Sequence, residues 1–158
     1  MPYSIFANAK APAFMIYLLD VSASMGETLA GKPRIQVVTE ALLTVVKKMI
    51  FRSTKGTIIS PRYRIALYAY SDEVYDLLDG VKTITEVASF GVPKLNTQNV
   101  TDTAKAFACV ERLLQTELPK LNDCPAPLVC HMTDGKYTGD DPAPIVQRIM
   151  KMAAPDGN

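Results

Sequence analysis

The sequence predicts a three-layer α/β/α fold on a mostly parallel central sheet, and three observations carry that prediction. First, Phe14-Met-Ile-Tyr-Leu-Leu-Asp20 runs through six apolar or aromatic residues into a lone carboxylate. A strand apolar on both faces belongs inside a sheet covered by helices on both sides. Second, Arg64-Ile-Ala-Leu-Tyr-Ala-Tyr70 and Leu128-Val-Cys-His-Met132 repeat the pattern, each passing at once into a polar turn. Third, stretches of helical periodicity separate these strands, the alternation expected of an α/β domain.

The elements follow in order. After the opening strand, Gly26 to Lys32 reads as a loop, and Pro33 suits the first turn of a helix. Ile35, Val38, Leu42, Val45, Val46 and Met49 recur at helical spacing, with Lys47 and Lys48 near the end that favours cations. Ser53 to Arg62, with Gly56 and Pro61, reads as a connecting loop. Val74 to Leu78 is a short third strand after Ser71-Asp72-Glu73, and Ile84 to Phe90 a short apolar helix. Thr101-Asp102 opens a second long helix with Phe107, Val110 and Leu114 on one face. Asp140-Asp-Pro142 starts a last helix over Ala143 to Met152, with Ile145, Ile149 and Met152 facing the sheet.

Composition bounds the function. At 158 residues, 48% hydrophobic and 21% charged, the chain suits a single domain spanning 1–158 with a core of its own. A formal net charge of +1 gives no global field to draw nucleic acid or an anionic membrane. The apolar runs are far shorter than the roughly 18 residues of a membrane-spanning helix. The first ten residues lack the basic leader and long apolar core of a signal peptide. Cys109, Cys124 and Cys130 are odd in number and lack metal-ligand spacing, so a reducing, cytoplasmic setting is expected.

Ligands of parallel sheets bind beyond the carboxyl ends of the strands. If the chain stays extended past Leu19, Asp20, Ser22 and Ser24 project to one side and converge a carboxylate and two hydroxyls. These are hard oxygen ligands of the kind Mg²⁺ and Mn²⁺ prefer.

Asp20-x-Ser22-x-Ser24 resembles the metal-ion-dependent adhesion site of von Willebrand factor type A (vWA) domains. Thr101-Asp-Thr-Ala-Lys-Ala-Phe107 is similar to that family's Thr helix opening, with Phe107 in place of Leu, and Thr133-Asp134-Gly135 to its Thr-Asp-Gly strand end. The likeness spans about 14–152 and implies a Rossmann-like vWA fold whose short third strand is an antiparallel edge. It implies a metal site of Asp20, Ser22, Ser24, Thr101 and Asp134, with Mg²⁺ as cofactor and Mn²⁺ or Ca²⁺ as alternatives. In the family the Ser and Thr hydroxyls coordinate and the Asp residues bind directly or through water. The neutral hydroxyls leave the ion electrophilic, so a partner protein's Asp or Glu completes its sphere. Phe90-Gly-Val-Pro-Lys-Leu95 looks most like bacterial intracellular vWA proteins, including those linked to tellurite resistance.

Two departures from the family pattern stand out. The glycine pair that often precedes the Thr is Asn99-Val100 here. The family's sheet also continues with two more parallel strands and a helix, whereas this sequence stops at Asn158. The Leu128 strand is then expected to be an open apolar edge, inviting self-association or a bound C-terminal piece.

Other classes remain open at this point. A Mg²⁺-dependent hydrolase or phosphoryl-transfer enzyme needs a nucleophile or base beside the metal. Position 22 is Ser rather than the second Asp of a haloacid-dehalogenase-type site, no phosphate-cradling glycine loop is present, and His131 sits inside an apolar strand. A scaffold with a silent metal site is the third reading. Tyr63, Tyr68, Tyr70 and Tyr75 read as packing residues, Arg62 and Arg64 as a solvated flank, and Lys136 and Tyr137 as loop residues that touch a partner.

Overall fold

A computed structural model describes residues 2–98 and 100–157. Its central sheet is formed by β1 (Ala13–Asp20), β2 (Tyr63–Tyr70), β3 (Val74–Asp76), β4 (Lys82–Thr83) and β5 (Leu128–Met132), in the order β3-β2-β1-β5, with β4 also on β2. Pairing of β1 with β2 is parallel from Ala13 opposite Tyr63 to Asp20 opposite Tyr70. On its other side β1 runs parallel to β5, with Leu18 opposite His131. The antiparallel β3 and β4 share the outer edge of β2. Three carboxyl ends, at Asp20, Tyr70 and Met132, therefore meet along one rim.

Among the described residues, four α-helices cover the sheet: α1 (Arg34–Ser53), α2 (Ile84–Phe90), α3 (Thr103–Glu117) and α4 (Ala143–Ile149). Strand alternation divides the core into two layers. Phe14, Ile16, Leu18, Tyr68 and Tyr70 face Phe107, Val110 and Leu114 of α3, with Ile145 and Ile149 of α4 beside them. Tyr17, Leu19, Ile65 and Leu67 face Leu42, Val46 and Met49 of α1 and Ile84 and Val87 of α2. The predicted three-layer architecture and both long helix faces are present.

Several local features differ from the sequence expectation. The loop around Gly56 contains a small ribbon, Thr54–Lys55 against Ile58–Ile59, turned by Gly56 at φ +63°. A similar ribbon, Thr28–Leu29 against Lys32–Pro33, precedes α1. The third strand ends at Asp76, and Lys82–Thr83 adds a pairing that two residues cannot announce by periodicity. Thr83 and Glu86 form a reciprocal capping box that fixes the start of α2. Asp102 is the N-cap of α3, its carboxylate accepting from the Lys105 N–H at 2.9 Å. The last helix ends at Ile149, short of Met152.

Arg64 is not on a solvated flank. Its guanidinium lies 5.4 Å from the Phe14 ring centroid and pairs at 2.7 Å with Glu117, which is buried. Arg62 donates to the carbonyls of Ala7 and Arg52. Tyr68 and Tyr70 are buried in the core, while Tyr75 is 40% exposed. The chain ends are clasped by Asp156, whose carboxylate accepts from the backbone N–H groups of Ser4, Ile5 and Ala126. Among the described residues no strand pairs with the outer side of β5, and Leu128 there is 51% exposed. No helix among them is long and apolar enough to cross a membrane, and all three cysteines are free.

Candidate metal centre

The rim where β1, β2 and β5 end is lined by polar side chains from four segments. Asp20, the last residue of β1, is fully buried. Its Oδ1 accepts from the Ser22 N–H at 2.9 Å and its Oδ2 from the Thr133 hydroxyl at 2.8 Å. The chain leaves the extended conformation after Ser22 instead of continuing extended through Ser24. Ser22 is still extended, and Ala23–Gly26 then forms a 3₁₀ turn closed by a hydrogen bond from Met25 N–H to the Ser22 carbonyl. The turn brings the Ser22 and Ser24 hydroxyls to 3.1 Å, so the two converge by a bend rather than by strand alternation.

Asp134 follows β5 in a turn completed by Gly135 at φ +83°, a left-handed conformation that favours glycine. Gly135 N–H donates to the Thr133 hydroxyl at 3.0 Å, so Thr133 links this turn to Asp20. Burial pushes the Asp134 carboxyl up. The Lys136 N–H, the Ser24 hydroxyl and the charges of Arg34 and Lys136 outweigh it and hold the group below the ordinary carboxylate range.

Thr101 precedes the N-cap of α3 and is buried. Its carbonyl accepts from both the N–H and the hydroxyl of Thr138 at 2.9 Å, which ties the loop after β5 to the start of α3. Thr101 and Ser24 line one cavity of about 230 Å³ with Val100, Lys136, Tyr137 and Thr138. The glycine-pair substitution at Asn99 lies outside the described residues, while its neighbour Val100 is exposed.

Hydrogen bonds thus link Asp20, Ser22, Ser24 and Asp134, and Thr101 joins them across the cavity wall. Lys136 and Tyr137 stand exposed on the same wall. Thr133, named in the sequence only as part of the Thr133-Asp134-Gly135 strand end, orients Asp20, and two further contributors carry no sequence signal: Thr138, which holds Thr101, and Arg34. The first residue of α1, Arg34 pairs through Nη1 with Asp134 at 2.8 Å and with Glu27 at 2.9 Å. Beneath the rim, the Tyr70 hydroxyl shares a 2.7 Å hydrogen bond with His131 Nε2, and the imidazole packs edge-on against Phe107. Burial pushes the Tyr70 hydroxyl up to about 12 and His131 below its usual range.

The donor set consists only of oxygens, two carboxylates and three hydroxyls, and suits a hard divalent cation. Among the described residues there is no cluster of three or more His, Cys, Asp or Glu side chains, so any metal here would rely on Ser and Thr.

The model of the von Willebrand factor type A domain matches residues 15–136, the greater part of the chain, including Asp20, Ser22, Ser24, Thr101 and Asp134. The chain belongs to the vWA domain family. Domains of this family generally act as protein-interaction modules. Solved structures with the same fold include a vWA protein from Catenulispora acidiphila, with TM-score 0.62 and 16% identity over 88% of this chain and 30% of that one. Three N-terminal domains of the type V pili tip protein Mfa5 from Porphyromonas gingivalis align with TM-score 0.61 and 22% identity, over 81% of this chain and 20% of that one. A mutant PilB minor pilin from Streptococcus sanguinis aligns with TM-score 0.57 and 13% identity, over 79% and 30%. The chain thus spans well under half of each of these three chains, and at these identities the likeness shows the fold alone. No curated protein matches the sequence.

Proposed function

We propose that this vWA domain is a divalent-metal-dependent protein-interaction module. Ser22, Ser24 and Thr101 would hold Mg²⁺, or alternatively Mn²⁺ or Ca²⁺, with Asp20 and Asp134 supplying charge. When bound, the ion supplies an electrophilic position for a partner's Asp or Glu. The observation that carries this reading is Asp20. Its carboxylate is fully buried, accepts two hydrogen bonds from neutral donors, and has no ion-pair partner among the described residues. Buried charges are ordinarily paired or bound to metal, and the Ser22 and Ser24 hydroxyls stand beside this one.

The chain's own residues do the rest. Thr133 and the Ser22 N–H fix the orientation of Asp20, Thr138 holds Thr101 at the rim, and Lys136 and Tyr137 face solvent where a partner approaches. A non-enzymatic role is supported by the engagement of the only histidine with Tyr70 and Phe107. The free cysteines support a cytoplasmic setting, and Phe90 to Leu95 supports a bacterial intracellular subtype resembling tellurite-resistance-associated proteins.

The test is selection of a displayed peptide library on the domain in Mg²⁺. Enriched peptides should share an Asp or Glu and lose binding in EDTA and on Ser22→Ala or Thr101→Ala. Peptides that stay bound under all three conditions, on folded protein, would refute the proposal.

A further inference from the structure

Arg34 is in an electrostatically unusual position. As the first residue of α1 it places a cation at the positive end of the helix dipole, where acidic residues are favoured. No acidic residue lies in that first turn. Its Nη1 is instead surrounded by three acceptors from two segments: the Ser24 carbonyl at 3.3 Å and Glu27 Oε2 at 2.9 Å from the turn after β1, and Asp134 Oδ2 at 2.8 Å from the turn after β5. Two of these, Ser24 and Asp134, belong to the proposed metal set. The Arg34 side chain is 26% exposed and that of Asp134 only 6%, so the pair is shielded from the screening that makes surface ion pairs weak.

We infer that Arg34 is a tethered cation that competes with the divalent ion for Asp134 and so sets the metal affinity of the site. The inference rests on the proposed metal site. Its physical basis is direct. A guanidinium bonded to Asp134 Oδ2 neutralises the charge that the site offers an incoming cation, and it also repels that cation at short range. Glu27, 55% exposed and also 3.6 Å from Lys136, pairs with Arg34 from the solvent side. Arg34 is therefore a residue that sets affinity rather than a ligand, and its ion pair holds Asp134 at the rim.

The test is calorimetric titration of Mg²⁺ and Mn²⁺ into metal-free wild type, Arg34→Gln, Arg34→Met and Arg34→Lys, with circular dichroism to establish folding. Both neutral variants should bind each ion about tenfold more tightly, equivalent to about 1.4 kcal/mol. Arg34→Lys, which keeps the charge, should stay near wild type. Without metal the neutral variants should melt at a lower temperature than wild type, and saturating Mg²⁺ should narrow that gap. Unchanged or weaker binding by both neutral variants, with wild type still binding metal, would overturn the role of Arg34 and leave the metal site standing. Absence of binding by every protein at millimolar metal would overturn both.

Discussion

Replacing Thr133 with valine removes one hydroxyl from the rim and keeps the shape of the side chain. That hydroxyl donates to Asp20 Oδ2 at 2.8 Å and accepts from the Gly135 N–H at 3.0 Å. A hydrogen bond to a charged group contributes about 1.5–3 kcal/mol. Thr133 is itself exposed, so water can replace part of the loss and the lower end, about 1.5 kcal/mol, is expected. For a domain of this length that corresponds to a fall in Tm of roughly 3–6 °C. The effect on metal should be larger, because partners that orient a ligand typically contribute about 10–100-fold in affinity. Thermal unfolding without metal and Mg²⁺ calorimetry measure the two effects separately. A double-mutant cycle with Asp20→Ala tests their origin, since the stability loss should largely disappear when the acceptor is absent. Unchanged Tm and unchanged Mg²⁺ affinity in Thr133→Val would refute the view that Thr133 positions Asp20.

Two further outcomes follow from the fold. Leu18→Ala, at a fully buried position of the central strand, should cost about 2–5 kcal/mol by urea unfolding, and a loss under 1 kcal/mol would contradict the packing described. His131 has a folded-state pKa below its ordinary value because burial disfavours the imidazolium, which outweighs the charge of Asp20. Below about pH 6.5 the unfolded chain therefore binds more protons than the folded one, and stability should fall as pH drops through that range toward the folded-state pKa. A His131→Phe variant should lose this part of the pH dependence of Tm, and an unchanged profile would contradict the assignment.

The sheet was legible because its three parallel strands announce themselves by unbroken apolar runs. Each ends in a polar residue or turn at the carboxyl rim, so Asp20 and Asp134 could be placed there before any geometry was known. The helix faces were legible for the same reason, as Leu42, Val46 and Met49 on α1 show. Pairings of two residues, such as Lys82–Thr83 with β2, were not, because so few residues carry no period. Polar partnerships across the fold were hidden by sequence distance. Arg34 and Asp134 are 100 residues apart, Arg64 and Glu117 53, and Thr101 and Thr138 37. No neighbour of Arg34 in the sequence marks it for a carboxylate that only the folded chain brings to it. The bend at Ala23–Gly26 was missed because alternation continued past Leu19 gives the same convergence as the turn.

The central claim is that a divalent cation is held at Asp20, and calorimetric titration of Mg²⁺ into metal-free wild type and Asp20→Ala tests it most directly. Wild type should bind one ion per chain, and Asp20→Ala, folded by circular dichroism, should bind at least about 100-fold more weakly, a loss of roughly 2.8 kcal/mol. Equal binding by the two proteins, or none by wild type, would contradict the account.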